Sequence, residues 1–433
     1  MTRRALLLAG CALAVLSFPA SAGAHAVLVA TTPRWGAELK ATPQMLRLSY
    51  NEGVVPQYAR VAVVAANGEN LAGVPRVSGS FVVVPLRPGP RGSDTVRWQM
   101  VASDDGHVTE GAFTFGVGVK PLPPVPAPGV GVPVAPELLA WLQFLGIVLA
   151  GGALLFRAVV LVPAARVLGE EGAPDARAAL WVGVAGAVIA LHAGLLAFLV
   201  GAYPIVGGGL VSFLATQIVP IRVGTHLGQA WMVMTFAWLA VLALLVGAWV
   251  TPQRRERLLA SAGLLSLAIA FGISWASHPD SRGTLALVAD YLHLAAAALW
   301  VGGLVALALL AGVMRPRARA DRDALVRACV LRFSRLAAPA VAVLALAGGY
   351  LVLREFPGPA ALFDTRYGIT LVIKTVAFAG ALALAGYHQR SVAPRLAAGA
   401  PVASMRRTLA LEVALLVLAL ALAAVLSQTA PPG

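Results

Sequence analysis

The sequence predicts an exported all-β domain followed by an all-α polytopic membrane domain of about eight transmembrane helices. Three observations carry this expectation. The 433 residues are 59% hydrophobic and only 12% charged, whereas a soluble domain carries about a quarter charged residues, so much of the chain belongs in lipid. Short β-type runs fill the first quarter of the chain and long apolar segments fill the rest. The net charge of +14 is gathered in short segments between apolar runs. That is the pattern of membrane topology and not of a nucleic-acid-binding face.

The N-terminus has the three parts of a secretory signal: Arg3-Arg4, an apolar run from Ala5 to Phe18, and small residues at Ala22-x-Ala24. A signal peptide over 1–24, cut after Ala24, makes His25 the first residue of the mature chain. The stretch Leu8–Cys11, "LAGC", also resembles a lipoprotein cleavage box. Only about six apolar residues precede Cys11, short of the 7–15 of a signal core, so cleavage after Ala24 is preferred.

From His25 to Val119 the runs 46–50, 59–66, 80–86, 95–101 and 111–119 are short, partly alternating and rich in β-branched or aromatic residues. Gly, Pro, Asn and Asp separate them, which predicts a small antiparallel sandwich or barrel over 25–119. Residues 120–136, "KPLPPVPAPGVGVPVAP", form a stiff Pro-rich linker.

Over 137–433 eight apolar segments are long enough to span: 138–163, 178–203, 227–250, 257–276, 285–313, 336–354, 367–387 and 408–427. The arginines orient them. With the β domain outside, the loops 164–177, 251–256, 314–335 and 388–407 are cytoplasmic. They hold Arg166, Arg177, Arg254, Arg255, seven arginines from Arg315 to Arg335, and Arg390, Arg395, Arg406 and Arg407. The opposite loops carry little beyond Arg222, Arg282 and Arg366. The positive-inside rule then places the protein in the inner (cell) membrane with both mature termini on the periplasmic side. The two cysteines, Cys11 in the signal and Cys329 in an arginine-rich loop, offer neither a disulfide framework nor a Cys-rich metal site.

Candidate chemistry lies in the histidines. His107 sits in "SDDGHVTEG", two residues after Asp105. An N-terminal His25 can chelate one ion through its α-amine and Nδ1, a ring closure that exists only at a chain start. With His107 and Asp105 this gives a nitrogen-rich, roughly planar N,O set, which suits Cu(II) best. On spacing alone, the Asp-Gly-His triplet reads as a simple turn and His25 as a frayed terminus. In the membrane part, Asp290 and His293 share a helix face near the outer end of the fifth span. His278 follows the fourth span and His226 begins the third, while His192 lies mid-span. Lys374 and Glu412 also stand inside apolar runs and are candidate partners of each other. His388, beside Arg390, reads as interfacial. Each of these also has a purely structural reading; as a set, His278 and His293 are the preferred ligands of a membrane copper path, with His226, His192 and Asp290 behind them.

The pieces "HAVLVATTP" (25–33), "LRLSYNEGV" (46–54) and "VRWQMVASDDGHVTEGAFTFGV" (96–117) resemble the periplasmic copper-binding CopC family. That resemblance implies a cupredoxin-like β-sandwich holding Cu(II) through the His25 amine and imidazole, Asp105 and His107. Some members add a Met-rich Cu(I) site; with only Met45 and Met100 in this domain, that site is not carried over. "DYLHLAAAALWVGGL" (290–304), "YGITLVIKT" (367–375) and the helix containing Glu412 resemble the CopD family of copper-transport proteins. The order of the two matches fusions of CopC with CopD.

The implied function is copper homeostasis or resistance: Cu(II) captured outside and copper moved across the membrane by import, with periplasmic copper chaperones as partners and no role for nucleic acid. No GxxxxGK[ST] loop is present, so no P-loop ATP-driven pump is encoded. Two alternatives belong to other classes. One is a redox enzyme using a histidine brace at His25 and His107. The other is a haem-carrying electron-transfer protein with helix histidines as axial ligands.

Overall fold

The computed structural model describes residues 28–103, 108–123, 135–169, 176–206, 226–277, 283–313, 319–355 and 360–429. The β domain has strands β1 Leu28–Thr32, β2 Glu38–Leu39, β3 Met45–Tyr50, β4 Arg60–Val64, β5 Arg76–Ser78, β6 Phe81–Pro85, β7 Gly92–Val101 and β8 Val108–Val117. They form two four-stranded sheets, ordered β1-β3-β6-β5 and β2-β8-β7-β4. All pairings are antiparallel except β2 with β8. Alternation along the strands supplies the core: Leu46 and Leu48, Val82 and Val84, and Phe113 and Phe115 all point into it. Met100 is fully buried in the same core and Met45 is exposed, so the two methionines do not form a common thioether site. Gly111 stands opposite Trp98 across β7–β8. A Cβ there would lie 2.7 Å from Trp98 Cζ2, so only glycine leaves the indole its seat.

The first residues after the sandwich remain bonded to it. Leu122 N donates to Ser93 Oγ at 3.0 Å, and Thr114 Oγ1 donates to Leu122 O.

Among the described residues, eight helices follow that are long and apolar enough to cross a membrane: α1 Ala135–Val167, α2 Arg177–Val206, α3 His226–Val250, α4 Arg255–Ser277, α5 Gly283–Val313, α6 Arg319–Glu355, α7 Arg366–Tyr387 and α8 Arg406–Ser427. The helices alternate in direction, so α1 and α7 start at one end of the bundle, called here the near end, and α4 and α8 start at the far end. Contacts agree: Glu137 meets Arg366 at the near end, and Arg332 Nε reaches Val159 O at the far end.

The first helix, α1, is the axis. Of its apolar window 72% is buried, against 6% for α6. Two π turns, Val148–Ala153 and Arg157–Leu161, interrupt α1. In the first of them Gly152 faces Gly302 of α5, and a Cβ on Gly302 would lie 2.6 Å from the Gly152 Cα. The glycine pair "VGG" at 301–303 is therefore a close backbone crossing. Gly302→Val should force the two helices apart and cost about 1–3 kcal/mol, as overpacking does. Thermal unfolding in detergent checks this, and an unchanged midpoint would contradict the crossing.

Four expectations need correcting. The sixth span was expected from 336, but α6 begins at Arg319, because Ala, Leu and Arg are good helix formers and continue the helix beyond the apolar window. Cys329 therefore lies in a helix, not in a loop, and is fully buried against the bundle core. The loop expected at 388–407 is helical as far as Ala397. His388, expected at the interface, is buried.

Candidate metal centre

His25, Asp105, His107 and His278 lie outside the described residues, as do the signal segment and most of the linker. What is described is the scaffold that carries the first three. The first strand opens with Leu28 paired to Tyr50. Just past Tyr50, the chain crosses to the other sheet: Val55 N donates to Val101 O at 2.9 Å, Ser103 N donates to Gly53 O at 2.9 Å, and Val54 bridges Ala102. Val101 and Val108 are the last matched pair of β7 and β8. Leu28, Ser103 and Val108 are thus anchored at one pole of the sandwich.

Two further groups mark that pole. Glu52, at 9% exposure, is a buried carboxylate beside the Gly53–Ser103 anchor. It falls within the quoted "YNEGV" run but carries no spacing signal of its own. Tyr50 packs edge-on against Trp98 at 5.5 Å, and burial pushes its phenol up, which keeps it neutral.

A third buried group, Asp94, is fully enclosed near the start of β7, at the opposite pole. Burial pushes its carboxyl up from 3.8 to about 6, partly opposed by a hydrogen bond from the Ala66 backbone. Between these values the folded state holds a proton that the unfolded state has lost, so stability falls as pH rises from about 4 to about 6. Above that the cost no longer changes with pH. Asp94→Asn should therefore raise the melting temperature of the 25–119 domain at pH 7.5 and leave it unchanged at pH 4. An equal shift at both would refute the assignment.

In the bundle, His192 is on the outer surface of α2, and its Nδ1 donates to Val188 O at 2.8 Å. His226 is the first residue of α3, and its side chain is outside what the structure describes. His293 is half-buried and donates from Nδ1 to Leu344 O of α6 at 2.9 Å. A Cβ on Gly348 would lie 2.7 Å from its Cε1, so that glycine makes room for the ring. With Nδ1 spent on a backbone carbonyl, Nε2 carries the lone pair, which is how metal-ligating histidines are held. Lys374 of α7 lies close enough to His293 to act on it electrostatically. Asp290 stands one turn before His293 on the same helix.

Among the described residues, no three His, Cys, Asp or Glu side chains converge as a ready-made metal cluster. The sequence offered Lys374 and Glu412 as partners of each other. Instead, Glu412 meets His388, with Oε2 2.7 Å from Nδ1. The first span also hides a charge that sequence reading passed over. Arg157, 5% exposed, forks onto Glu256 with Nη2–Oε1 at 2.6 Å and Nε–Oε2 at 3.0 Å.

Comparison with known proteins gives a consistent result. Residues 28–118 match the CopC domain family, and residues 327–426 match Copper resistance protein D, the CopD family. The chain is 26% identical over 400 residues to the Copper transport protein CutJ of Bacillus subtilis (strain 168), covering 86% of this chain and 68% of that one. Over 102 residues it is 33% identical to Protein YobA of Escherichia coli (strain K12), covering 22% of this chain and 82% of that one. The crystal structure of CopC from Methylosinus trichosporium OB3b matches at 23% identity and a TM-score of 0.21, over 23% of this chain and 99% of that one. This multi-pass membrane protein belongs to the CopC–CopD copper resistance and transport family, with a CopC domain followed by a CopD domain in one polypeptide.

Proposed function

We propose that the protein captures Cu(II) outside the inner membrane with the mature His25 amine and imidazole, Asp105 and His107, and passes copper inward through the eight-helix domain. It acts as a carrier and not as an enzyme, with copper delivered by periplasmic chaperones. The observation that carries this reading is the shared pole. His25 is three residues ahead of Leu28, a reach of about 10 Å, and Asp105 and His107 lie between Ser103 and Val108. All three anchors belong to one end of the sandwich. Glu52 places a further carboxyl group at that pole.

The arginines support the sidedness. Arg157, Arg255, Arg327, Arg390, Arg395, Arg406 and Arg407 all belong to the far end, as expected of a cytoplasmic face. His293, with its Nε2 lone pair available, is the best-supported ligand of the inward path, and Asp290 is the nearest carboxylate on its helix. His278, His226 and His192 remain path candidates on sequence position.

The test pairs N-terminal sequencing of the mature protein with a Cu(II) titration of the 25–119 domain. The reading expects His25 as the first residue and a large loss of affinity in His107→Ala. A different first residue, or unchanged affinity, would sink the capture site.

A further inference from the structure

The far end of the bundle holds a group that copper capture does not use. Glu412 is 1% exposed within the first turns of α8, and His388 is buried where α7 widens into a π turn. His388 Nδ1 is 2.7 Å from Glu412 Oε2, and its Nε2 is 2.8 Å from Thr408 Oγ1. Thr408 Oγ1 in turn donates to Met405 O at 3.0 Å.

Counting protons along this chain fixes its chemistry. A hydroxyl has one proton, and that of Thr408 goes to the Met405 carbonyl, which can only accept. Thr408 must then accept from Nε2–H. A neutral His388 therefore carries its bare lone pair at Nδ1, and the 2.7 Å approach of Glu412 Oε2 lacks hydrogen-bond alignment, leaving that buried oxygen without a hydrogen bond. A proton on the imidazole makes the contact an ion pair, and a proton on the carboxyl neutralises the buried acid.

The surroundings leave this pair as the buried histidine–carboxylate couple of its end. Of the elements packed on it, α1 has Glu137 at the near end, and α5 has Asp290, Tyr291 and His293 in its near half. On α7, Arg366, Tyr367 and Lys374 also lie toward the near end, with Lys374 fourteen residues and thus about 21 Å away along the helix. The far end adds Tyr387, Arg390, Arg395, Arg406 and Arg407, together with Arg327 of α6, which reaches Ala400 O. The other acids of this end are less buried than Glu412: Asp321 and Asp323 at the start of α6, the latter beside Arg322, and Glu256 of α4, paired with Arg157. A buried ion pair is a poor source of stability compared with apolar packing, and ionisable groups within membrane spans mark ion and proton routes.

We propose that His388 and Glu412 form a proton-binding site, and that its proton exchanges with water at the far end as copper passes, coupling copper movement to proton movement. This rests on the transport reading above. The step is a charge exchange without electron transfer: a copper cation arrives, the proton leaves Nδ1 or Oε2 for water, and a proton returns when the cation has gone.

The full chain in liposomes tests this, with trapped copper-sensitive and pH-sensitive dyes. In wild type, a proton gradient drives copper flux and copper flux moves protons. Glu412→Gln keeps side-chain size and hydrogen bonding but cannot carry the proton, and loses both effects. His388→Gln serves as the second variant if the first does not accumulate. Coupling that persists in either variant overturns the proposal. A transport-independent arm uses pH-difference infrared spectra of the detergent-solubilised chain. A carboxylic-acid band that titrates in wild type, shifts on histidine isotope labelling and vanishes in Glu412→Gln supports the site; its absence in wild type overturns it. If wild type carries no copper at all, the transport reading fails, and the infrared arm still decides the proton site.

Discussion

Glu256→Gln will cost the folded protein about 3 kcal/mol or more, and Arg157→Met will cost clearly less. The asymmetry follows from burial. Arg157 is 5% exposed inside α1, whereas the Glu256 side chain is 45% exposed at the start of α4. Removing the carboxylate takes the counter-charge from a guanidinium held inside the bundle, and breaking a buried pair from one side costs about 3–5 kcal/mol. Removing the guanidinium strands a carboxylate that still meets water, and methionine fills the vacated volume with apolar contact. The double variant should recover most of what Glu256→Gln lost, because replacing a whole buried pair by apolar side chains is often close to neutral. Unfolding midpoints in detergent, compared across the cycle, decide it. A larger loss in Arg157→Met than in Glu256→Gln would show that the pair is not organised by burial.

That pair also marks where the sequence stops being legible. The strands that carry the sandwich core could be read because Leu46 and Leu48, or Phe113 and Phe115, alternate across a single run. The edge strands β2 and β5 could not, since Glu38–Leu39 and Arg76–Ser78 are too short and mixed to show a period. All eight membrane helices were visible as apolar length, but their polar pairings were not. Arg157 and Glu256 are 99 residues apart, and His388 meets Glu412 across a loop. Neither pair has the one-turn spacing that reveals a partner within a single helix. Helix ends were also misjudged where propensity outlasts hydropathy, as in the arginine-rich start of α6. The proposed metal centre rests on the resemblance and on the expected signal cut, because Asp-Gly-His alone is an ordinary turn.

The cut itself gives the second large effect. Acetylation of the mature His25 amine will lower the Cu(II) affinity of the 25–119 domain by about 100-fold or more, with the side chains of His25, Asp105 and His107 all present. The α-amine and Nδ1 of His25 form a chelate only while that amine is free; once acetylated, its lone pair is delocalised and no other amine stands beside the ring to replace it. Loss of an outer-shell partner already costs a metal site about 10–100-fold, so loss of a ligand should cost at least the upper end of that range. The domain suits the measurement, since the sandwich has its own core. Competition against a Cu(II) chelator gives the affinity, and the nitrogen hyperfine pattern in paramagnetic resonance counts the ligands: one nitrogen should disappear in the acetylated domain and a different one in His107→Ala. Equal affinity with and without the acetyl group would remove the amine from the site. The proposed His25 amine thus makes the centre a product of export, since it exists only once the signal peptidase has acted, outside the membrane where the copper is.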